Sequence, residues 1–557
     1  MKICNIVLLT FLLFPITISA DNFMRERVYL HTDKQTYLSG ELMWVKFYLT
    51  DEAGKPSSFS KVGYVELADE TVAQVQVKLE IIDGIACGWL ELPISLPTGN
   101  YRLIGYTRNM RNEGEKVFFN KTIGVINTFR AGALVSTDTI ADSEASTAAT
   151  AAKGNISVTS GQSYSTRDNG TVRISGLPEN IHSLSVSVTG KDIIQGDNDI
   201  LVWNNGLKSY ANVSSGADFL PEYEGHIITA KITHPSSNQD PGADRVFPLL
   251  GFVGNQPRVF GGMITDNKNV QFFTKRITGM KELAVSTTSA SGSQYLVDIE
   301  SPYQPHSEKE MPAFLLDPAW ESQLLQRSIG LQVQHAYTAD LMNQVDTTYS
   351  FFRWKPDRSY ILDEYTRFPN MEEIVIEFIS VLRFRNYGDK TFLTVLLNES
   401  NLFSEGNSLV LLDGIPVMDH KIIAKYNPLL VHKIEIYKDV FVFGTKRYEG
   451  LVSITTYKND YPGFVTDGTT RIFDYEGTQL HRYFYSPSYI DEPDKQMKTP
   501  DYRHTLLWKP EIKTDGETEI SVPFYTSDIT GDFHVTVEGI TKDGRAIRGT
   551  CSFNVHF

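Results

Sequence analysis

The sequence predicts a mainly β chain of several sandwich domains, with one mixed α/β module among them. Three observations carry this. Apolar and polar residues alternate in many short runs, as where Met43, Val45, Phe47 and Leu49 interleave with Trp44, Lys46 and Tyr48. A period of two marks a strand with one buried face. Turn signals such as Asp51-Glu52-Ala53-Gly54, Asp83-Gly84 and Pro97-Thr98-Gly99 separate the runs. The chain also carries 27 Tyr and 31 Phe but few runs of helical period, a balance that favours strands. A length of 557 residues leaves room for about three to five domains.

At the N-terminus, Lys2 precedes an apolar run from Ile6 to Ile18, closed by Ser19 and Ala20. Residues 1–20 are expected to be a secretory signal peptide, too short to span a membrane. Cys4 precedes the apolar run and is not placed as a lipoprotein cysteine. The chain is therefore expected to be an exported soluble or peripheral protein, and the resemblances given below imply the periplasm or outer membrane of a Gram-negative bacterium. Cys87 and Cys551 lie far apart and are expected to be two small, buried, unbridged side chains. There is no C-x-x-C and no zinc-type spacing, so neither a metal nor a cofactor is expected. A net charge of −15 argues against nucleic acid or an anionic membrane surface as a partner.

Residues 21–130 read as the first sandwich. Besides the run at 43–49, Val75, Val77, Leu79 and Ile81 alternate with Gln74, Gln76, Lys78 and Glu80. The stretch 28–49, with Thr32, Asp33, Lys34, Tyr37, Gly40 and Glu41, resembles the macroglobulin-type β-domain near the start of alpha-2-macroglobulin relatives. Gly99-Asn100-Tyr101-Arg102-Leu103 and Tyr106-Thr107 match a later strand of that domain. The resemblance implies a seven-stranded sandwich. Asp33 is expected to cap backbone N–H groups in a turn rather than to act in chemistry. Protease trapping is not expected, because the thioester tetrapeptide Cys-Gly-Glu-Gln is missing and Cys87-Gly88 continues as Trp89-Leu90.

Residues 131–153, rich in Ala, Ser and Thr, read as a linker. Asp138-Thr139-Ile140 and Asp346-Thr347-Thr348 resemble the O-glycosylation acceptor of Bacteroidetes exported proteins, which makes Thr139 and Thr347 candidate acceptors. Residues 154–303 are expected to form a second sandwich, with an alternating strand at 184–188 and a packed connection at 219–226. Residues 304–390 read as a helical and mixed connecting segment. One helix is expected over 320–337, and another after Asn370, whose spacing to Glu373 fits a capping box. Residues 465–557 are expected to form a C-terminal sandwich, with Cys551, Phe553, Val555 and Phe557 on one face of its last strand.

The stretch 391–464 is the most specific. Leu411, Asp413, Gly414 and Pro416 are followed by Ile434, Glu435, Ile436 and Lys438, then by Phe443, Gly444, Gly450, Leu451, Val452, Ile454, Thr455 and Lys458. This order resembles the second half of the plug domain of TonB-dependent outer-membrane receptors. A receptor's pore would need at least about eight strands of about ten residues each, with loops and turns besides. The stretch after residue 463 fits one small domain better, so no membrane barrel is expected. Together with the aromatic motifs between 483 and 526, the chain resembles exported proteins of Bacteroidetes type that join macroglobulin-like and plug-like domains. The resulting fold class is a multi-domain chain of Ig-like or macroglobulin-like β-sandwiches with one α/β plug-like module.

No Gly-x-Ser-x-Gly elbow, His-Glu-x-x-His or phosphate-binding loop is present. Adjacent acid pairs such as Glu372-Glu373 and Asp363-Glu364 do not share a helix face. The expectation is a non-enzymatic binding or assembly factor at the outer membrane, with protein partners such as a TonB-dependent transporter or a secretion component. The expected partner surface is Asp413, Gly414, Pro416, Lys421, Lys438, Phe443 and Lys446. The alternative is a surface adhesin or glycan-binding protein using aromatic loops such as 483–489.

Overall fold

Strand Leu42–Asp51 shows how the domains are joined. Its apolar residues Met43, Val45, Phe47 and Leu49 face a sandwich core, as their alternation requires. Its other face, with Trp44, Lys46 and Tyr48, is buried as well. The expected half-exposed strand is thus corrected, because a second domain covers the polar side. The computed structural model describes residues 24–130, 155–191, 200–206, 216, 218–235, 241–255, 258–266, 268–314, 316–342, 345, 355–466 and 468–557. The expected signal peptide, the linker, Thr139 and Thr347 lie outside these residues. Strands hold 47% of the described residues and helices 12%, so the fold is mainly β. Among the described residues no helix is long and apolar enough to cross a membrane.

The first domain packs a three-stranded sheet (Glu26–Thr32, Leu42–Asp51, Ile85–Glu91) on a five-stranded one (Thr36–Leu38, Phe119–Ile126, Gly99–Thr107, Val62–Ala68, Ala73–Glu80). That is one strand more than the expected seven, the addition being short. Arg27 and Glu113 form a buried two-pronged ion pair, with N–O distances of 2.8 and 3.0 Å.

The expected sandwiches at 154–303 and 465–557 are corrected by the strand pairing. The second domain is assembled from both ends of that span. Asn169–Ser175 lies between Glu519–Tyr525 and Ser157–Thr159 in one sheet, while Ile181–Gly190 lies between Gly531–Thr541 and Thr505–Lys509 in the other. Leu184, Val186 and Val188 meet Phe533, Val535 and Val537 in a single core. Alternation identifies strands but carries no record of which strand pairs with which, and that is why the boundary was misplaced. On the last strand Phe553 and Val555 are buried, but Phe557 is 93% exposed. The expected last core position falls beyond the strand end at His556.

The third domain is a seven-stranded antiparallel sheet of residues 227–299 completed by strand Thr470–Glu476. Its two edge strands approach each other, and Arg471 pairs with Asp298 across the gap. Apolar residues such as Val270, Phe272 and Val285 fill the space between.

The fourth domain is the α/β module. Five strands (Arg358–Ile361, Val431–Phe443, Lys446–Thr456, Leu409–Leu412, Ile415–Val417) form one sheet, beside the hairpin Leu382–Tyr387/Lys390–Val395. Helices Met371–Phe378 and His420–Ala424 cover its core. Asn370 caps the first of these by accepting from the Glu373 N–H at 2.9 Å, as its spacing requires. The expected 390/391 boundary is corrected, since strands at 358–361 and 382–387 belong to this domain.

Candidate functional site

The residues expected to face a partner mostly face the third domain. Asp413 and Gly414 occupy a turn with φ of 45° and 84°. The Asp413 carboxylate accepts from Thr456 N–H and O–H and from Tyr461 N–H, at 2.7, 2.5 and 2.8 Å. Its carbonyl accepts from Gly254 N–H at 2.8 Å, and the Pro416 carbonyl accepts from Ser286 Oγ at 3.0 Å. Phe443 packs in a cluster shared with Leu249 and Val259 of the third domain. Lys446 donates to Thr288 Oγ1 at 3.0 Å and lies over the Phe247 ring. The expected surface is corrected at these five positions: the motif that reads as a docking face is used within the chain. Lys421 is exposed, and Lys438 is half-buried on another part of the sheet.

A second cluster lies between the first and second domains. His31 Nδ1 is 2.7 Å from Ser185 Oγ, and His31 Nε2 is 3.9 Å from the Glu538 carboxylate. This order of hydroxyl, imidazole and carboxylate is that of a nucleophilic triad. All three side chains are buried between two sheets, and Ser185 also bonds Tyr48 OH and the Glu538 carbonyl. Burial pushes the His31 pKa well down, aided by Lys121, Lys46 and Arg548, so the ring stays neutral. With Tyr29 donating to Glu538 at 2.8 Å, the cluster bonds one domain to the next.

A site open to a ligand is a cleft of about 280 Å³ where the first domain, the long helix Glu321–Tyr337 and the 482–505 stretch converge. Asp33 sits at its floor. Its carboxylate accepts from Trp44 N–H at 3.0 Å and Tyr37 OH at 2.8 Å, which is the capped turn expected from sequence. It also accepts from Thr505 Oγ1 at 2.9 Å, which links the turn to the second domain. Lys34 bridges Asp33 at 3.0 Å and Glu41 at 3.4 Å. Burial lowers the Lys34 pKa, but Asp33 and Glu41 more than offset it, and the net shift is upward.

Arg327 enters from the long helix. One terminal nitrogen donates to the Thr36 carbonyl at 3.0 Å and to Glu41 at 3.2 Å. Its Nε and Nη1 are buried without a hydrogen-bond partner among the described residues. His504 Nε2 is in the same condition. Burial holds the His504 pKa well below its ordinary value, and Arg327 and Lys34 add to this. Trp44, Phe484, Tyr485 and Tyr502 supply flat apolar walls. The arrangement suits an anionic group attached to a flat or apolar body: donors inside, rings around them. Sequence reading found Asp33 and the 483–489 aromatics but missed Arg327 and His504. A single Arg on a helix carries no sequence signal until its helix is docked. Among the described residues no group of His, Cys, Asp and Glu is arranged to hold a metal ion.

No protein-family model matches this sequence, and no curated protein matches it either. Among solved structures, the alpha-2-macroglobulin of Salmonella reacted with methylamine is 9% identical over 95% of this chain, with a TM-score of 0.25. The chain spans 39% of that protein's length. The Escherichia coli adhesin FdeC is 13% identical over 48% of this chain and 62% of its own, with a TM-score of 0.16. The Yersinia pseudotuberculosis adhesin InvE is 13% identical over 49% of this chain and 57% of its own, with a TM-score of 0.14. Scores this low leave the reading of the site to its own residues.

Proposed function

We propose that the chain is a non-enzymatic binding component of a Gram-negative cell envelope, and that the cleft at Arg327 seats an acidic group of a protein partner. The observation that carries this reading is the pair of unpartnered Arg327 nitrogens in a cleft walled by aromatic rings. Two buried guanidinium N–H groups without acceptors among the described residues are costly, and an incoming acidic group would satisfy the one that it meets with a charge-assisted bond. The burial of Ser185, His31 and Glu538 between two domains supports a binding role over catalysis. The partner in this reading is an envelope protein such as an outer-membrane transporter or secretion component.

The test is affinity purification after mild crosslinking of whole cells, comparing wild type with Tyr485→Ala at the cleft wall. Stoichiometric recovery of one envelope protein, reduced in the variant, is the expected result. Recovery of the chain alone, or unchanged recovery with Tyr485→Ala, overturns it. A second reading is glycan binding. It is favoured by Phe484 and Tyr485 lining the cleft from the very loop that sequence singled out. Retardation of wild type, but not of Tyr485→Ala, on immobilised polysaccharide selects that reading.

A further inference from the structure

Strand Gly99–Thr107 turns Arg102, Ile104 and Tyr106 to the face of the five-stranded sheet opposite Tyr101 and Leu103, and this second face is buried too. Residues 302–314 run across this second face. Gln304 N–H donates to Tyr106 OH at 2.8 Å, His306 meets Glu66 at 2.9 Å, and Asn100 donates to the Pro312 carbonyl at 2.9 Å. Beneath this strap is a cavity of about 230 Å³, lined by Arg102, Lys116, Asn120, His306 and Lys309 among others.

Arg102 is 6% exposed, and both its Nε and its Nη2 lack a hydrogen-bond partner among the described residues. These two nitrogens share one edge of the guanidinium, the fork whose parallel N–H bonds match two oxygens of an oxyanion. The carboxylates nearby are otherwise engaged. Glu66 accepts from Tyr106, Gln76 and His306, and Glu115 accepts from Ser307. Lys116 and Lys309 are exposed at the cavity and add positive charge.

The geometry points to a second binding site, separate from the cleft at Arg327: the Arg102 cavity takes a phosphate-type oxyanion, free or carried on a larger molecule. The fork supplies two bonds, the strap closes over the bound group, and the two lysines draw it in. The anion neutralises a cation that the fold otherwise buries unpaired, a condition that favours binding over an empty site.

The test uses the full chain and inorganic phosphate at constant ionic strength against chloride. Wild type should show a saturable rise in unfolding temperature with phosphate. Arg102→Met should show none, and in chloride its unfolding temperature should equal or exceed that of wild type, because it removes an unpaired buried charge. Lys309→Glu, an exposed change, should weaken phosphate affinity by about tenfold. The proposal is overturned if wild type does not respond to phosphate or if Arg102→Met keeps the response. A lower unfolding temperature for Arg102→Met in chloride would also overturn it. Two arms separate the sources. Arg102-dependent flotation with phosphatidic acid vesicles, but not phosphatidylcholine, assigns a lipid phosphomonoester, and a phosphate response without flotation assigns a soluble oxyanion.

Discussion

Gly414 lies so close to Phe252 that a Cβ at position 414 would overlap the Phe252 carbonyl oxygen. The contact is reciprocal, because a Cβ at Gly251 would overlap the Gly414 carbonyl. Two backbones from different domains thus touch where neither has a side chain. Gly414 also has a φ of 84°, where an L side chain is strained. Gly414→Ala should therefore destabilise the docking of the fourth domain on the third by about 3 kcal/mol, combining left-handed strain with overpacking. Limited proteolysis should cut between the two domains in the variant, and denaturant unfolding should resolve a separate transition.

The Arg27–Glu113 pair makes a prediction of the opposite kind, since here both partners are buried and joined by two bonds. Glu113→Ala would leave the Arg27 charge buried beside an empty acceptor. The expected loss is about 3–5 kcal/mol of stability, measured by urea unfolding. A double variant, Arg27→Met with Glu113→Leu, should recover most of it.

Stability should also fall on acidification. Burial pushes the His420 pKa down from 6.5 to about 4, with Asp419 opposing and Lys446 adding to the shift. Its Nδ1 accepts from the Leu393 N–H at 2.9 Å, a bond that needs a bare nitrogen. Between those two pH values the unfolded chain holds a proton that the folded chain refuses. The stabilisation is complete above about pH 6.5 and is lost progressively towards pH 4, up to about 3 kcal/mol for this residue. His31, His226 and His504 shift in the same direction. Urea unfolding of wild type and His420→Asn at neutral and mildly acidic pH should show a shallower acid loss in the variant.

Cys87 and Cys551 should behave as separate, slow thiols. Both are unbridged and half-buried, and burial raises the Cys551 pKa to about 11 and that of Cys87 as well. Alkylation of the native chain should be much slower than in denaturant, and reductant should leave the unfolding temperature unchanged.

Much of this fold was legible because strands announce themselves by alternation. Met43 to Leu49, Leu184 to Val188 and Val535 to Val537 all mark real core faces. Alternation was less informative about the other face. Ser185 and Lys46 read as polar positions of alternating strands, yet both are buried where the first and second domains meet. A polar residue that bonds a polar partner across an interface looks the same in sequence as one that bonds water. The Asp413-Gly414 motif was legible as a turn but not as a contact, because what it touches is strand Val246–Phe252, far away along the chain. Arg327 and His504 were missed for the same reason: their meaning arises only when three distant segments converge.

The strand order also has a consequence in time. Asn169–Ser175 and Ile181–Gly190 find their neighbours only at Glu519–Tyr525 and Gly531–Thr541, with two other domains lying between them in the chain. During synthesis or export the earlier strands emerge long before the later ones. Until then they present open edges, and contacts of such long sequence separation form slowly. The nested layout thus makes completion of the second domain wait for strands made after the third and fourth domains. A newly made chain is exposed to misassociation for as long as those strands are still to arrive.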